Sequence, residues 1–457
     1  MGRGRPAIAG GVTRHRWPAL LTLCLAVLIA QVDTAVVNLA VRPIGQYFSA
    51  GAAALQWTVD SYNLVYAVLL LSGGLLADLH GRRRIFVTGA AIFTAASLGC
   101  ALAPTIAVLV AARAVAGLGA ALLLPASLAI IRVGWPDDRD RARALGLWAA
   151  CNGLALAIGP TLGGVLMRWA GWRSIFFVVV PAGAATIALA PRTLDESSDP
   201  QGRHGDAAGQ VLGAIALGAL ACAAVALHDD ARLAGIAFAA ALLALIVFIR
   251  TEAAHGAAAM VPLDLFRAPV FTAAMMATTG MTFGMYGVLF LLPLTWQGTQ
   301  RLDVLGAGIA LMPMALMFVL SSPFSGALTR RLGPRPLCCG GVAVIAAGLL
   351  TIAGTAGMPS LLPALLGLTL TGLGMGLATG PLMGLAVGAV AAARAGTASA
   401  LINVARMSGA TIGVALLGTL HGLAGGGTAG LRLAMLLGAA VQLACAATAW
   451  VATRPRP

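Results

Sequence analysis

The chain has 457 residues, 60% of them hydrophobic and only 10% charged, with 58 glycines and few aromatics. A soluble domain carries about 25% charged residues, so this composition excludes an ordinary globular enzyme and points to an all-α polytopic membrane protein whose small residues let helices pack closely. The net charge of +14 comes from 29 basic residues, all of them arginine. Without lysine there is no Walker A lysine and no Schiff-base lysine, which excludes transport driven by this chain's own ATP hydrolysis.

Membrane spans need about 20 apolar residues. In chain order, candidates fall near 18–41, 55–77, 84–103, 106–131, 144–167, 174–191, 209–227, 233–250, 270–297, 304–328, 336–356, 360–390, 397–421 and 431–452, fourteen in all. The stretch 360–390 is longer than one span requires, and Gly372, Gly374, Gly376, Gly380 and Pro381 predict a kinked helix there. The N-terminus shows no cleavable signal pattern. The seven cysteines fall mostly inside spans, lack metal-ligand spacing to histidine and read as small core residues. No metal, cofactor or nucleic-acid site is expected.

With fourteen spans both termini lie on one side. That side carries 21 arginines and the opposite side six, with Arg113 and Arg406 inside spans. The asymmetry predicts cytoplasmic termini in a bacterial inner membrane, and it explains the positive charge without nucleic acid. An internal echo supports a repeat. Gly74 to Arg84 and Gly326 to Arg335 each place two glycines seven residues apart, then arginine, at an offset of 252 residues. Transporters are often built from such repeats, with the substrate site between them. The expected organisation is a six-helix bundle over 1–191, a two-helix insert over 192–269 and a second six-helix bundle over 270–457.

Three charges lie deep in the first bundle. Asp33 and Asp60 sit about 8 and 5 residues from the outer ends of the first two spans, and Arg113 about 8 from that of the fourth. A charge at the bilayer centre costs roughly 2.5–3.5 kcal/mol on insertion scales, so such residues are usually functional and partnered. Two readings stand for the trio: a structural ion pair, or a titrating relay. Asp33 is the first choice for a coupling carboxylate, Asp60 the second, and Arg113 the modulator. In the second bundle Arg406, near Asn403, is the only deep charge. It either binds an anionic group or ties helices together through backbone carbonyls. The Met312, Pro313, Met314, Met317, Phe318 run suits core packing, and equally a promiscuous pocket.

The motifs resemble one family. Gly74-Leu-Leu-Ala-Asp78-Leu-His-Gly81-Arg82-Arg83-Arg84 resembles motif A of the major facilitator superfamily, with Leu79 where that family often has arginine. Cys151-Asn152-Gly153 through Gly159-Pro160 to Gly163-Gly164 resembles its antiporter motif C, and Arg113-Ala-Val-Ala-Gly117-Leu-Gly119 its motif B, with Ala116 in place of a frequent glutamine. Leu28 to Pro43, including Asp33, Thr34 and Asn38, is similar to the first-span motif of the 14-span drug:proton antiporter branch, and Trp172-Arg173 to Phe177 with Pro181 matches its sixth span.

The resemblance covers nearly the whole chain. It implies a monomeric carrier in the lipid bilayer that exports drugs, antibiotics or small organic toxicants in exchange for protons. Asp33, Asp60, Arg113, Asn38, Arg406 and Asn403 would serve coupling and substrate. Gly74, Asp78, Gly81, Arg82 and Arg83 would form a conformational latch, or simply hold their loop inside. Gly153, Gly159, Pro160, Gly163 and Gly164 would be the thin antiporter face that seals one side of the cavity. An uptake symporter for a small nutrient on the same fold is the first rival; a membrane sensor that has lost transport is the second.

Overall fold

A computed structural model describes residues 16–198, 206–227, 230–256, 259, 261–299, 301–390 and 394–453. The segments that carry both chain ends, and position 204 between the two halves, lie outside these.

The described chain is helical throughout. Its helices are α1 (Arg16–Phe48), α2 (Ala52–His80), α3 (Arg82–Ala101), α4 (Ile106–Gly134), α5 (Asp138–Ala170), α6 (Ser174–Phe177), α7 (Val179–Thr193), α8 (Ala207–Ala226), α9 (Ala231–His255), α10 (Pro269–Gly298), α11 (Val304–Ala310), α12 (Met312–Leu332), α13 (Pro334–Thr355), α14 (Leu362–Gly388), α15 (Ala395–Leu423) and α16 (Gly427–Ala452). Short polar residues start several of them. Asp206, Asp230 and Asp303 each accept backbone N–H groups from the first turn of α8, α9 and α11, which satisfies donors that a helix start leaves free.

Twelve helices among the described residues are long and apolar enough to span a bilayer, with α6 and α7 joined as one and α11 and α12 as another. Counting α2, whose two parts meet at 51°, makes thirteen. The expected fourteen is therefore not reached on this criterion: α5 has 33 residues but is not among these helices. The stretch 360–390 forms one continuous helix, α14, with Pro381 inside it.

Helices α1 to α7 pack chiefly on one another, as do α10 and α12 to α16, while α11 lies mainly against α5. The echo in the sequence has a structural counterpart. Gly81 joins α2 to α3 at φ +105°, and Gly333 joins α12 to α13 at φ +84°, conformations that side chains other than glycine rarely adopt. Eight residues on, Gly89 crosses α4 against the carbonyl of Gly119, while Gly341 crosses α14 against that of Gly374, each 2.8 Å from where a Cβ would stand. Any side chain there would push the paired helices apart, so both three-helix units depend on glycine at matching places.

The helices differ sharply in exposure. Within α10, 83% of the most apolar window is buried, against 22% in α9. Helix α10 is a central element touching α1, α14, α15 and α16, whereas α9 presents Leu233, Ile236, Phe238, Leu242 and Leu243 outward. Helix α8 packs on both α2 and α15, and Thr419 of α15 donates to the Ala224 carbonyl of α8 at 2.6 Å. Helix α8 thus lies along one seam between the two groups of helices.

Candidate functional site

Helix α1 places Asp33 at its midpoint, deeper than the predicted 8 residues from the outer end, because the helix runs on to Phe48. Arg113 of α4 reaches it: Nη1 donates to Asp33 Oδ2 at 2.5 Å, and both side chains are 2% exposed. Arg113 Nε donates to the Thr58 carbonyl of α2 at 3.1 Å. The guanidinium stacks 4.5 Å from the Tyr62 ring centre and 6.0 Å from that of Phe176. Carboxylate, backbone carbonyl and aromatic faces together compensate the burial of this cation.

Asp60 does not join that pair. It is fully buried in α2, and neither carboxylate oxygen has a hydrogen-bond partner among the described residues. The same is true of both polar atoms of Asn63, one turn along α2, and of Thr411 Oγ1 in α15. Buried polar groups are normally satisfied by protein or water. Among the described residues these atoms have no such partner. Asn38 donates to its own helix at the Thr34 carbonyl, 3.0 Å away, and its Oδ1 is likewise unpartnered.

In α15, Arg406 Nη1 donates to Asn403 Oδ1 at 3.2 Å, while Arg406 Nε has no partner among the described residues. Helix α15, which carries Arg406, packs on both α2 and α10.

At one end of the molecule lies the Gly81 turn. Asp78 Oδ1 accepts from Arg82 Nε at 2.9 Å and Nη2 at 2.7 Å. The start of α3 is held by a different carboxylate than expected. Glu196, just past α7, accepts from the backbone N–H of Arg83 at 3.0 Å and of Arg84 at 3.2 Å, and Arg82 N donates to the Ser197 carbonyl at 2.8 Å. Gly81 lies against Glu196, whose carboxylate would meet any Cβ there. Gly74, one helical stretch back, faces Pro125 of α4. The acidic Asp195-Glu196 pair after α7 was the available signal in the sequence, and it was missed.

At the opposite end the two groups of helices meet. Gln297 Nε2 of α10 donates to the Leu39 carbonyl of α1 at 3.1 Å. Gly164 of α5 would place a Cβ 2.8 Å from Leu305 Cα in α11, and Gly308 of α11 lies against the Pro160 carbonyl. Gln56 of α2 lies against Gly418 of α15. On the same glycine face of α5, Gly159 and Gly163 seat Ala35 and Val36 of α1. Gly153 is helical, and its surroundings fall outside the described residues. Four of the five antiporter-motif residues are thus packing surfaces, two of them, Pro160 and Gly164, directly between the halves.

Apolar helices around buried charges, with two matching halves touching at one end, define a multi-pass membrane carrier of small solutes rather than an enzyme. The model of the Major Facilitator Superfamily matches residues 23–414, and the chain belongs to that family. It is 36% identical over 413 residues to the multidrug resistance protein Stp of Mycobacterium tuberculosis, covering 89% of this chain and 76% of that one. It is 34% identical over 435 residues to the methylenomycin A resistance protein of Bacillus subtilis, covering 93% and 92%. Among solved structures, the fold resembles a bacterial homolog of the human lysosomal transporter Spinster, in an inward-facing and unoccupied conformation. The TM-score is 0.71 at 18% identity, over 97% of this chain and 98% of that one. It also resembles a D-xylose–proton symporter, with a TM-score of 0.69 at 15% identity over 96% and 98%.

Proposed function

We propose that the chain is a proton-coupled exporter of drugs, antibiotics or small organic toxicants, working as a monomer in the cytoplasmic membrane of a bacterium. Both termini and the Gly81 turn are cytoplasmic, as the arginine asymmetry indicates. On this reading α2 and α5 complete fourteen spans, arranged as bundles 1–191 and 270–457 around the insert 192–269. The relatives named for drug and antibiotic resistance favour export over nutrient uptake.

The observation that carries the coupling reading is the unpartnered, fully buried carboxyl group of Asp60. An isolated buried carboxylate is very costly when ionised, whereas Asp33 already has Arg113. In this arrangement Asp60 holds the transported proton and the Asp33–Arg113 pair is fixed. This reverses the order expected from sequence. The halves meet at the external end, so this conformation is closed outward and accepts substrate from the cytoplasm. Rocking opens that end, water reaches Asp60, and proton loss and uptake there accompany substrate release. The Asp78–Arg82 contact and the Glu196 cap hold the cytoplasmic turn as a rigid unit while this happens.

The test is export into inverted membrane vesicles. An imposed pH gradient should drive accumulation of a fluorescent drug by the wild-type chain, with proton efflux. Accumulation that ignores the gradient would overturn proton coupling, and uptake in the reverse direction would restore the symporter.

A further inference from the structure

Helix α2 bends between its two ends. Its parts Ala52–Leu70 and Ser72–His80 meet at 51°. The first part carries Thr58, Asp60 and Asn63, and the second carries Asp78 and ends at the Gly81 turn. The run Ser72-Gly73-Gly74 makes the helix pliable there, but pliability sets no direction. A side chain from α8 does. Gln210, near the start of α8, donates from Nε2 to the Val68 carbonyl at 3.1 Å, and its Oε1 accepts from Ser72 Oγ. One amide thus spans both sides of the bend. A side chain that enters a helix's own hydrogen-bond ladder is a physical cause of bending.

Gln210 is itself held in place. Its backbone N–H donates to the Asp206 carbonyl at 3.1 Å. Asp206 caps α8 through the Gly209 N–H at 2.8 Å and pairs with His255 Nδ1 of α9 at 3.2 Å. Leu64, Val68 and Ser72 are spaced by four residues and so share one face of α2. That face meets α8, where Leu64 lies against Gly218. Another side of α2 packs on α4: the Tyr62 carbonyl lies against Gly117, and Gly73 against the Ala121 carbonyl. The far end of α8 is tied to the second half by the bond from Thr419 to the Ala224 carbonyl. Helix α8 is therefore a strut, hydrogen-bonded at one end to the bend of α2 and at the other to α15.

We infer that Gln210 is a positioning residue for transport. By holding the α2 bend it sets the angle between the segment that carries Asp60 and the Gly81 turn, so α8 controls how readily the two halves rock. The consequence for transport rests on the exporter reading, but the first test needs no transport. Spin labels on cysteines replacing Ala52 and His80, near the two ends of α2, report its length by pulsed electron resonance in a cysteine-free full-length chain in lipid nanodiscs. At 1.5 Å per residue, straightening the bend lengthens α2 by about 4 Å. Gln210→Met keeps the length of the side chain without its donor, and it should move the distance toward that limit. Gln210→Leu should do the same. Leu64→Ala loosens the packing of α2 on α8 but spares the tie, and it should keep the wild-type distance. In inverted vesicles under a pH gradient, Gln210→Met should accumulate ethidium with a turnover about fivefold lower, the equivalent of one hydrogen bond, at an unchanged half-saturating concentration. An unchanged distance in both Gln210 variants would overturn the inference. So would an equal lengthening in Leu64→Ala, or a raised half-saturating concentration at unaltered turnover. A wild-type chain that ignores the gradient, while the Gln210 variants still lengthen α2, would refute the coupling reading alone and leave the bend under the control of Gln210.

Discussion

Arg113 and Asp33, 80 residues apart in sequence, meet at 2.5 Å with both side chains 2% exposed, while Asp60 lies buried and unpaired on the helix whose Thr58 carbonyl Arg113 also binds. Two carboxylates at similar depth therefore hold different physical positions. One is compensated and fixed; the other has nothing to stabilise its charge.

Removing one member of the compensated pair leaves an isolated buried charge, which typically costs about 3–5 kcal/mol. Arg113→Leu and Asp33→Leu should each lower the thermal unfolding midpoint of the purified protein markedly. The double substitution Asp33→Leu with Arg113→Leu should cost less than either single change, a non-additivity that a double-mutant cycle reads directly. Additive losses would show that the contact carries no energy of its own.

Asp60→Asn should behave in the opposite way. Its side chain has no bond to lose, so the unfolding midpoint should stay close to that of the wild type. Export driven by a pH gradient should disappear, while gradient-free exchange of labelled for unlabelled drug persists. A variant that still couples export to proton flux would place the titrating group elsewhere.

The Gly81 turn depends on Glu196 as well as Asp78. Glu196→Gln weakens a charge-assisted cap on two α3 backbone N–H groups, and losing a helix cap costs about 1 kcal/mol. Transport rate should fall in a well-folded, fully inserted protein, and Asp78→Asn, which removes the negative charge that accepts both Arg82 bonds, should do the same. Wild-type rates in both would assign the arginines of this turn to membrane orientation alone.

Where α5 meets α11, Gly164→Leu wedges a side chain against Leu305. The halves should then separate there more often. In a cysteine-free background, a reporter cysteine replacing Gln56 should react faster with an impermeant thiol reagent when Gly164→Leu is present. Unchanged reactivity would show that α5 and α11 do not seal this end.

Single cysteines replacing His204 and Asp230 test the orientation. From outside intact cells the reagent should label position 230 and spare position 204 until the membrane is permeabilised. Labelling of position 204 from outside would invert the topology.

What the amino-acid order determined by itself runs along the helix axes. Apolar stretches set where most of the helices lie, and they put Asp33, Asp60, Arg113 and Arg406 inside spans, although α1 runs on to Phe48 and carries Asp33 deeper than its apolar stretch indicated. The 252-residue echo located the glycine joints at Gly81 and Gly333 before any coordinates. What only the tertiary structure decided is direction around those axes. Helices that are apolar on every side carry almost no periodic signal for which face meets which neighbour. Hydropathy put Asp33 and Asp60 in one depth range, but the packing of α1, α2 and α4 decided that Arg113 pairs with Asp33 and leaves Asp60 alone. The same packing brought Glu196 under the start of α3, a contact between residues more than a hundred positions apart whose formation depends on close glycine crossings that no single span reveals.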